Sequence, residues 1–209
     1  MSHMIKILGR ASAINVRKVL WTCAELGVDY EREDWGLGFR SPSQPEFLAL
    51  NPNATVPVLV DGDFTLWQSN AICRYLNDKF DGPLLGDTRQ QRALIEQWMD
   101  WQAMELNTAW RYTFLSKVRQ SPDFQDPGQL QASIASWTKL MGILDRQLQA
   151  SGRYVLGDQF TLADVVMGLS VNRWLTIPFD KPDYSSVLTY YELLREREGF
   201  LTYGCNGIA

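Results

Sequence analysis

Few stretches leave a chain as little conformational choice as residues 51–76, NPNATVPVLVDGDFTLWQSNAICRYL. Two short apolar runs, Val56 to Val60 and Phe64 to Trp67, flank Asp61-Gly62-Asp63, and Gln68-Ser69 then opens a helical pattern. Asp-Gly between apolar runs is a strong hairpin signal, because both residues tolerate the positive φ that tight hairpin turns need. Pro57 has no N–H to give a sheet ladder, so it belongs at a strand's first residue or on an edge. Ser69 falls where a helix leaves its first N–H groups unpaired and where the macrodipole favours a carboxylate. The stretch therefore predicts strand, turn, strand and helix start, a compact arrangement for holding a small anionic peptide.

The same residues resemble the glutathione-binding half of the soluble, cytosolic glutathione S-transferases, of the bacterial beta and theta-like kind. In that family a Val-Pro pair with a cis proline and a Gln-Ser or Glu-Ser pair hold the tripeptide. The resemblance implies that Pro57 is cis; the sequence by itself only permits it, since most X–Pro bonds are trans.

The other elements fit that order. Ile5 to Leu8 reads as a strand, leading through Gly9-Arg10 into a helix over Ile14 to Leu26 that Gly27 stops. Val28 to Trp35 reads as a second strand, and Ser43-Gln44-Pro45-Glu46 as a capping box opening a short helix. After the hairpin comes a helix over Ser69 to Phe80. The order β-α-β-α-β-β-α is that of a thioredoxin-like α/β domain. Beyond a linker at 81–86 the pattern is helical throughout, with one long helix expected over Asp87 to Val118. A core-facing stripe follows from Leu130 to Leu148, then a helix opened by a Thr161/Asp164 capping box and ended by Pro178, and a further helix from Val187 to Arg197. We expect a thioredoxin-like domain over residues 4–82 and an all-α helical domain over 88–209, the glutathione S-transferase fold.

Composition excludes several alternatives. The 209 residues are 45% apolar and 21% charged, with a net charge of −4 and a pI near 5.1, so no basic surface suggests nucleic acid. No apolar run is long enough to cross a bilayer and no secretory leader is visible, so a cytoplasmic location is expected. His3 is the only histidine and sits in an opening Met1-Ser2-His3-Met4 that reads as an added leader, so histidine chemistry and a metal site are not expected. Cys23, Cys73 and Cys205 are an odd count without a C-x-x-C pair, which suggests reduced thiols. Cys23 and Cys73 read as buried and inert, and Cys205 has no assigned role.

The resemblance also implies site residues. Residues 10–19, RASAINVRKV, are similar to the Ser-x-Asn-Val-x-Lys-Val run that opens the first helix of many bacterial transferases. Here Ala13 occupies the usual serine position and Ser12 stands one residue earlier. Ser12, Asn15 or a backbone N–H could stabilise the glutathione thiolate, and Ser12 could equally serve as a helix cap. Ser69 and Gln68 would take the γ-glutamyl group, Val56 and Pro57 would pair with the cysteinyl unit, and Arg40 would meet the glycyl carboxylate. Trp101, Trp110 and Phe114 would line the electrophile pocket, with Trp98, Tyr112 and Trp174 as comparable aromatics. Asp100 is a further candidate, reaching toward a partner subunit's glutathione.

The expectation is thus a homodimeric glutathione S-transferase that activates glutathione and conjugates it to a small apolar electrophile, a detoxification chemistry. The alternatives are a non-catalytic glutathione or ligand carrier or scaffold of the same fold, and a glutathione-dependent peroxidase or dehalogenase. A reductase or lyase using a protein cysteine ranks low, because no cysteine stands at the first helix start.

Overall fold

The structure, a computed structural model, describes residues 4–208; Met1, Ser2 and His3, the sole histidine among them, and Ala209 lie outside the described residues. Four strands form one mixed sheet: β1 (Ile5–Leu8), β2 (Tyr30–Glu33), β3 (Val58–Asp61) and β4 (Phe64–Trp67), in the order β2-β1-β3-β4. β1 runs parallel to β2 and antiparallel to β3, and β3 and β4 form the hairpin across Gly62. Alternation along β1 sorts the two faces. Ile5, Ile7 and Leu59 pack under α1 (Ile14–Leu26) and α3 (Ser69–Lys79), while Leu8 and Val58 meet Trp35 and Phe47 of α2 (Pro45–Leu48) on the other face. Gly27 ends α1 with φ 63°, the left-handed conformation glycine adopts without cost to a Cβ.

The second half is all-helical: α4 (Arg89–Trp101), α5 (Asn107–Lys117), α6 (Pro127–Ser151), α7 (Leu162–Thr176), α8 (Ser185–Leu194) and α9 (Glu198–Tyr203). One long helix was expected over Asp87 to Val118; instead α4 starts after a Thr88/Gln91 capping box and a π turn at Gln102–Leu106 separates it from α5. A wider turn lets Gln102 point inward, where it is buried and bonds Lys18, Asn107 and Ser170. The α7 box forms: the Asp164 carboxylate accepts from the Thr161 N–H at 2.8 Å, and also from Val155 N–H and the Tyr190 hydroxyl. The box expected at Ser43 does not form, since α2 begins at Pro45 behind Gln44 and no side chain caps it. Among the described residues no helix is long and apolar enough to cross a membrane.

The sheet register places the site. Leu8 pairs with Val58, and Val58 with Trp67. The segments that follow β1, precede β3 and follow β4 therefore leave the same end of the sheet: Gly9 to Asn15, Val56-Pro57 and Gln68-Ser69. Gly9 allows the first two to close. A Cβ there would lie 2.5 Å from Val16 Cγ2 and 3.1 Å from Val56 Cβ, so only glycine fits this approach without displacement.

Candidate functional site

Residues 51–57 are held from within. The buried Asn51 amide donates to the Thr55 carbonyl at 2.7 Å, while its oxygen accepts from the Asn53 N–H at 3.0 Å. This ties the loop that delivers Val56 and a cis Val56-Pro57 peptide to the end of β3. Opposite, Gln68 has φ 76° and ψ 112°, a backbone region that a residue with a side chain rarely occupies. That conformation turns the chain sharply from β4 into α3. Ser69 is 6% exposed, yet its hydroxyl has no hydrogen bond to any described residue. An unbonded hydroxyl on a largely buried serine at a helix start suits an incoming carboxylate.

The start of α1 is similarly open. Its N-cap is Ala13, which has no side chain to cap with, so the first-turn N–H groups face outward. Ser12 is therefore not the cap. Its hydroxyl oxygen accepts a hydrogen bond from Arg10, which leaves the serine's own proton available to a further acceptor. Asn15 is exposed one turn on. By contrast, α4, α6 and α8 receive side-chain caps from Thr88, Asp126 and Asp145.

Arg10, Ser12, Ala13, Ile14, Asn15 and Val56 form one wall of a cleft of about 450 Å³; Trp110, Phe114, Val118, Arg119, Arg173 and Ile208 form the other. Trp110 and Phe114 meet edge-on at 5.7 Å, and the Arg173 guanidinium carbon lies 4.2 Å from each ring centre. Burial pulls Arg173 down to about 9, with further lowering from the charges of Arg17 and Arg119. Two expected pocket residues are thus present and one is not. Trp101 packs edge-on against Trp98 at 5.1 Å, away from the cleft.

Other candidates are engaged elsewhere. Arg40 is held by Glu33 at 2.5 Å and Glu46 at 2.7 Å and lies over the Trp35 ring, so it does not reach the cleft. Asp100 pairs with Arg74. Tyr112 accepts from the Asp126 N–H, and Trp174 packs among Trp137, Phe179 and Tyr184. Cys23 and Cys73 are buried, and burial pushes their thiols up to about 12 and about 11, so neither is a ready nucleophile. Among the described residues no group of three or more metal-ligating side chains gathers.

Sequence reasoning missed Arg10, Arg119, Arg173 and Ile208. Arg173 had a signal, since it is the lone charge between Val165 and Trp174 in a helix that is otherwise apolar or small and polar. Ile208 had none, because its place depends on the Arg17 guanidinium and Asn172 amide binding its carbonyl.

A four-stranded mixed sheet with helices on both faces, joined to an all-α half across a shared cleft, defines the two-part thioredoxin-like architecture. A family model described as the glutathione S-transferase N-terminal domain matches residues 5–78. Glutathione S-transferase GstB of Escherichia coli K12 is 34% identical over 197 residues, covering 93% of this chain and 94% of the relative. Glutathione S-transferase F10 of Arabidopsis thaliana is 34% identical over 170 residues, covering 79% and 78%. The glutathione-bound crystal structure of the theta class enzyme of Xanthomonas axonopodis pv. citri superposes with a TM-score of 0.91 at 32% identity, over the full length of both chains. The chain belongs to the glutathione S-transferase family, and it is a transferase that conjugates glutathione.

Proposed function

We propose that residues 4–82 bind glutathione along the sheet end, with its sulfur at the start of α1, and that residues 88–209 dock the electrophile. The observation that carries this is the shared cleft: Ser12, Asn15 and Val56 face Trp110 and Phe114 across about 450 Å³. The γ-glutamyl carboxylate meets the Ser69 hydroxyl and the first N–H groups of α3, with Gln68 beside it. Val56 and Pro57 line the cysteinyl unit. The Ser12 hydroxyl, oriented by Arg10, donates to the sulfur, and the uncapped first turn of α1 adds its N–H groups and dipole. Together they favour the thiolate over the thiol. Asn15 is the second donor within the same turn. The sulfur then attacks an electrophile lying on Trp110 and Phe114.

The protein works in this reading as a cytoplasmic, homodimeric enzyme of detoxification. Retention on immobilised glutathione followed by turnover of chlorodinitrobenzene tests it. Retention with turnover is expected; retention without turnover contradicts the catalytic assignment, and failure of both contradicts the site.

A further inference from the structure

The charge on the cleft differs from that of the rest of the chain. Arg10, Arg119 and Arg173 line it, and no aspartate or glutamate does. Yet the protein as a whole carries a net charge of −4. Six of the described arginines outside the cleft pair with acids, among them Arg32 with Asp34, Arg92 with Asp78, Arg195 with Glu192 and Arg197 with Glu25. Among the described residues neither Arg10 nor Arg119 forms an ion pair, though the two come from opposite walls. They are near enough for the Arg119 charge to push Arg10 down, after the larger effect of burial. Like charges lining one cleft raise its energy when it is empty, and an anion between them relieves the repulsion.

The geometry points to an anionic co-substrate: a flat electrophile bearing a carboxylate, its ring on Trp110 and Phe114 and its carboxylate between Arg10 and Arg119. This names the substrate class of the site proposed above and rests on that reading. A guanidinium fork matches a carboxylate in geometry as well as charge. Arg119, whose guanidinium carbon stands 5.5 Å from the Phe114 ring centre, would hold the carboxylate at the cleft's outer edge. Arg10 would hold it toward Ser12, so the reacting carbon faces the sulfur. With an aryl halide, the thiolate forms the carbon–sulfur bond, the carbon–halogen bond breaks, and the halide leaves with the bonding pair. The thiol proton passes to solvent, and no oxidant or reductant is needed.

The test uses the full chain and two derivatives of chlorodinitrobenzene, one with a ring carboxylate and one with the neutral carboxamide. Each kcat/KM is divided by the uncatalysed rate with glutathione, which removes their difference in intrinsic reactivity. The carboxylate should be favoured roughly tenfold or more, and the preference should shrink as ionic strength rises. Arg119→Gln should bring the ratio close to one, and Arg119→Lys should keep part of it. Equal or better use of the carboxamide overturns the inference and leaves the transferase reading standing, as does a ratio unmoved in Arg119→Gln. Failure to bind glutathione and to turn over either compound overturns the transferase reading, and the inference with it.

Discussion

Ser69 and Ser12 both stand at helix starts, and their surroundings give them different work. Ser69 is buried, without a hydrogen bond to any described residue, behind a Gln68 held at positive φ. Removing its hydroxyl takes away one hydrogen bond to a charged group, about 1.5 kcal/mol, so Ser69→Ala should raise the glutathione Kd roughly tenfold. Isothermal titration checks this; an unchanged Kd would remove Ser69 from the site. The helix start at Ser69 was legible in the sequence, because Val-Pro, Asp-Gly and Gln-Ser at fixed spacing predict strand, turn, strand and helix. The role of Ser12 was not. Whether it capped the helix depended on the turn at residues 10–13, which Gly9 and the bond from Ala13 N–H to the Arg10 carbonyl set. Arg40 shows the opposite case: its charge was legible, but not the two glutamates that hold it.

Strands and helix ends were readable wherever apolar period and turn residues agree, as at Gly27, Gly62 and Thr161. The π turn at Gln102–Leu106 was not, because it is defined by a polar contact rather than an apolar stripe. Gln102 accepts from Lys18 Nζ at 2.8 Å, and Asn70 accepts from the same nitrogen at 3.3 Å, so one buried lysine joins α1, α3 and the π turn. Burial lowers Lys18 from 10.5 to about 8. Between these values the unfolded chain binds more protons than the native one, so this group makes stability rise with pH from about 8 to about 10.5. Below about 8 both states are charged and that contribution is gone. Lys18→Met should abolish the rise, which amounts to about 3 kcal/mol at most. Urea unfolding of both proteins across this range checks it, and parallel pH profiles would show that Lys18 is not the group responsible.

The two halves meet through α1, which packs on α3 behind the sheet and on α7 and α9 of the helical half. Arg17 of α1 is buried and donates to the carbonyls of Tyr203, Gly204 and Ile208, so it holds the chain's end against the cleft. Arg17→Ala leaves buried carbonyls without donors and should cost about 3 kcal/mol. It should also free the Ile208 wall and raise the electrophile KM; calorimetry with steady-state kinetics would show both, and an unchanged melting temperature would contradict it. The bond between tail and first helix spans 191 positions and leaves no local trace in sequence. The fold's order was legible because local signals agreed along the chain. The cleft was legible only in part, because its far wall is assembled from α5, α7 and the tail. The proposed function turns on one physical step at that cleft, stabilisation of the glutathione thiolate by the start of α1. Titrating the thiolate's ultraviolet absorbance in the bound complex tests it most directly. The bound thiol should titrate between about pH 6.5 and 7.5 and move back toward 8.5 in Ser12→Ala; a wild-type complex that titrates at about 8.5, like the free thiol, would contradict the account.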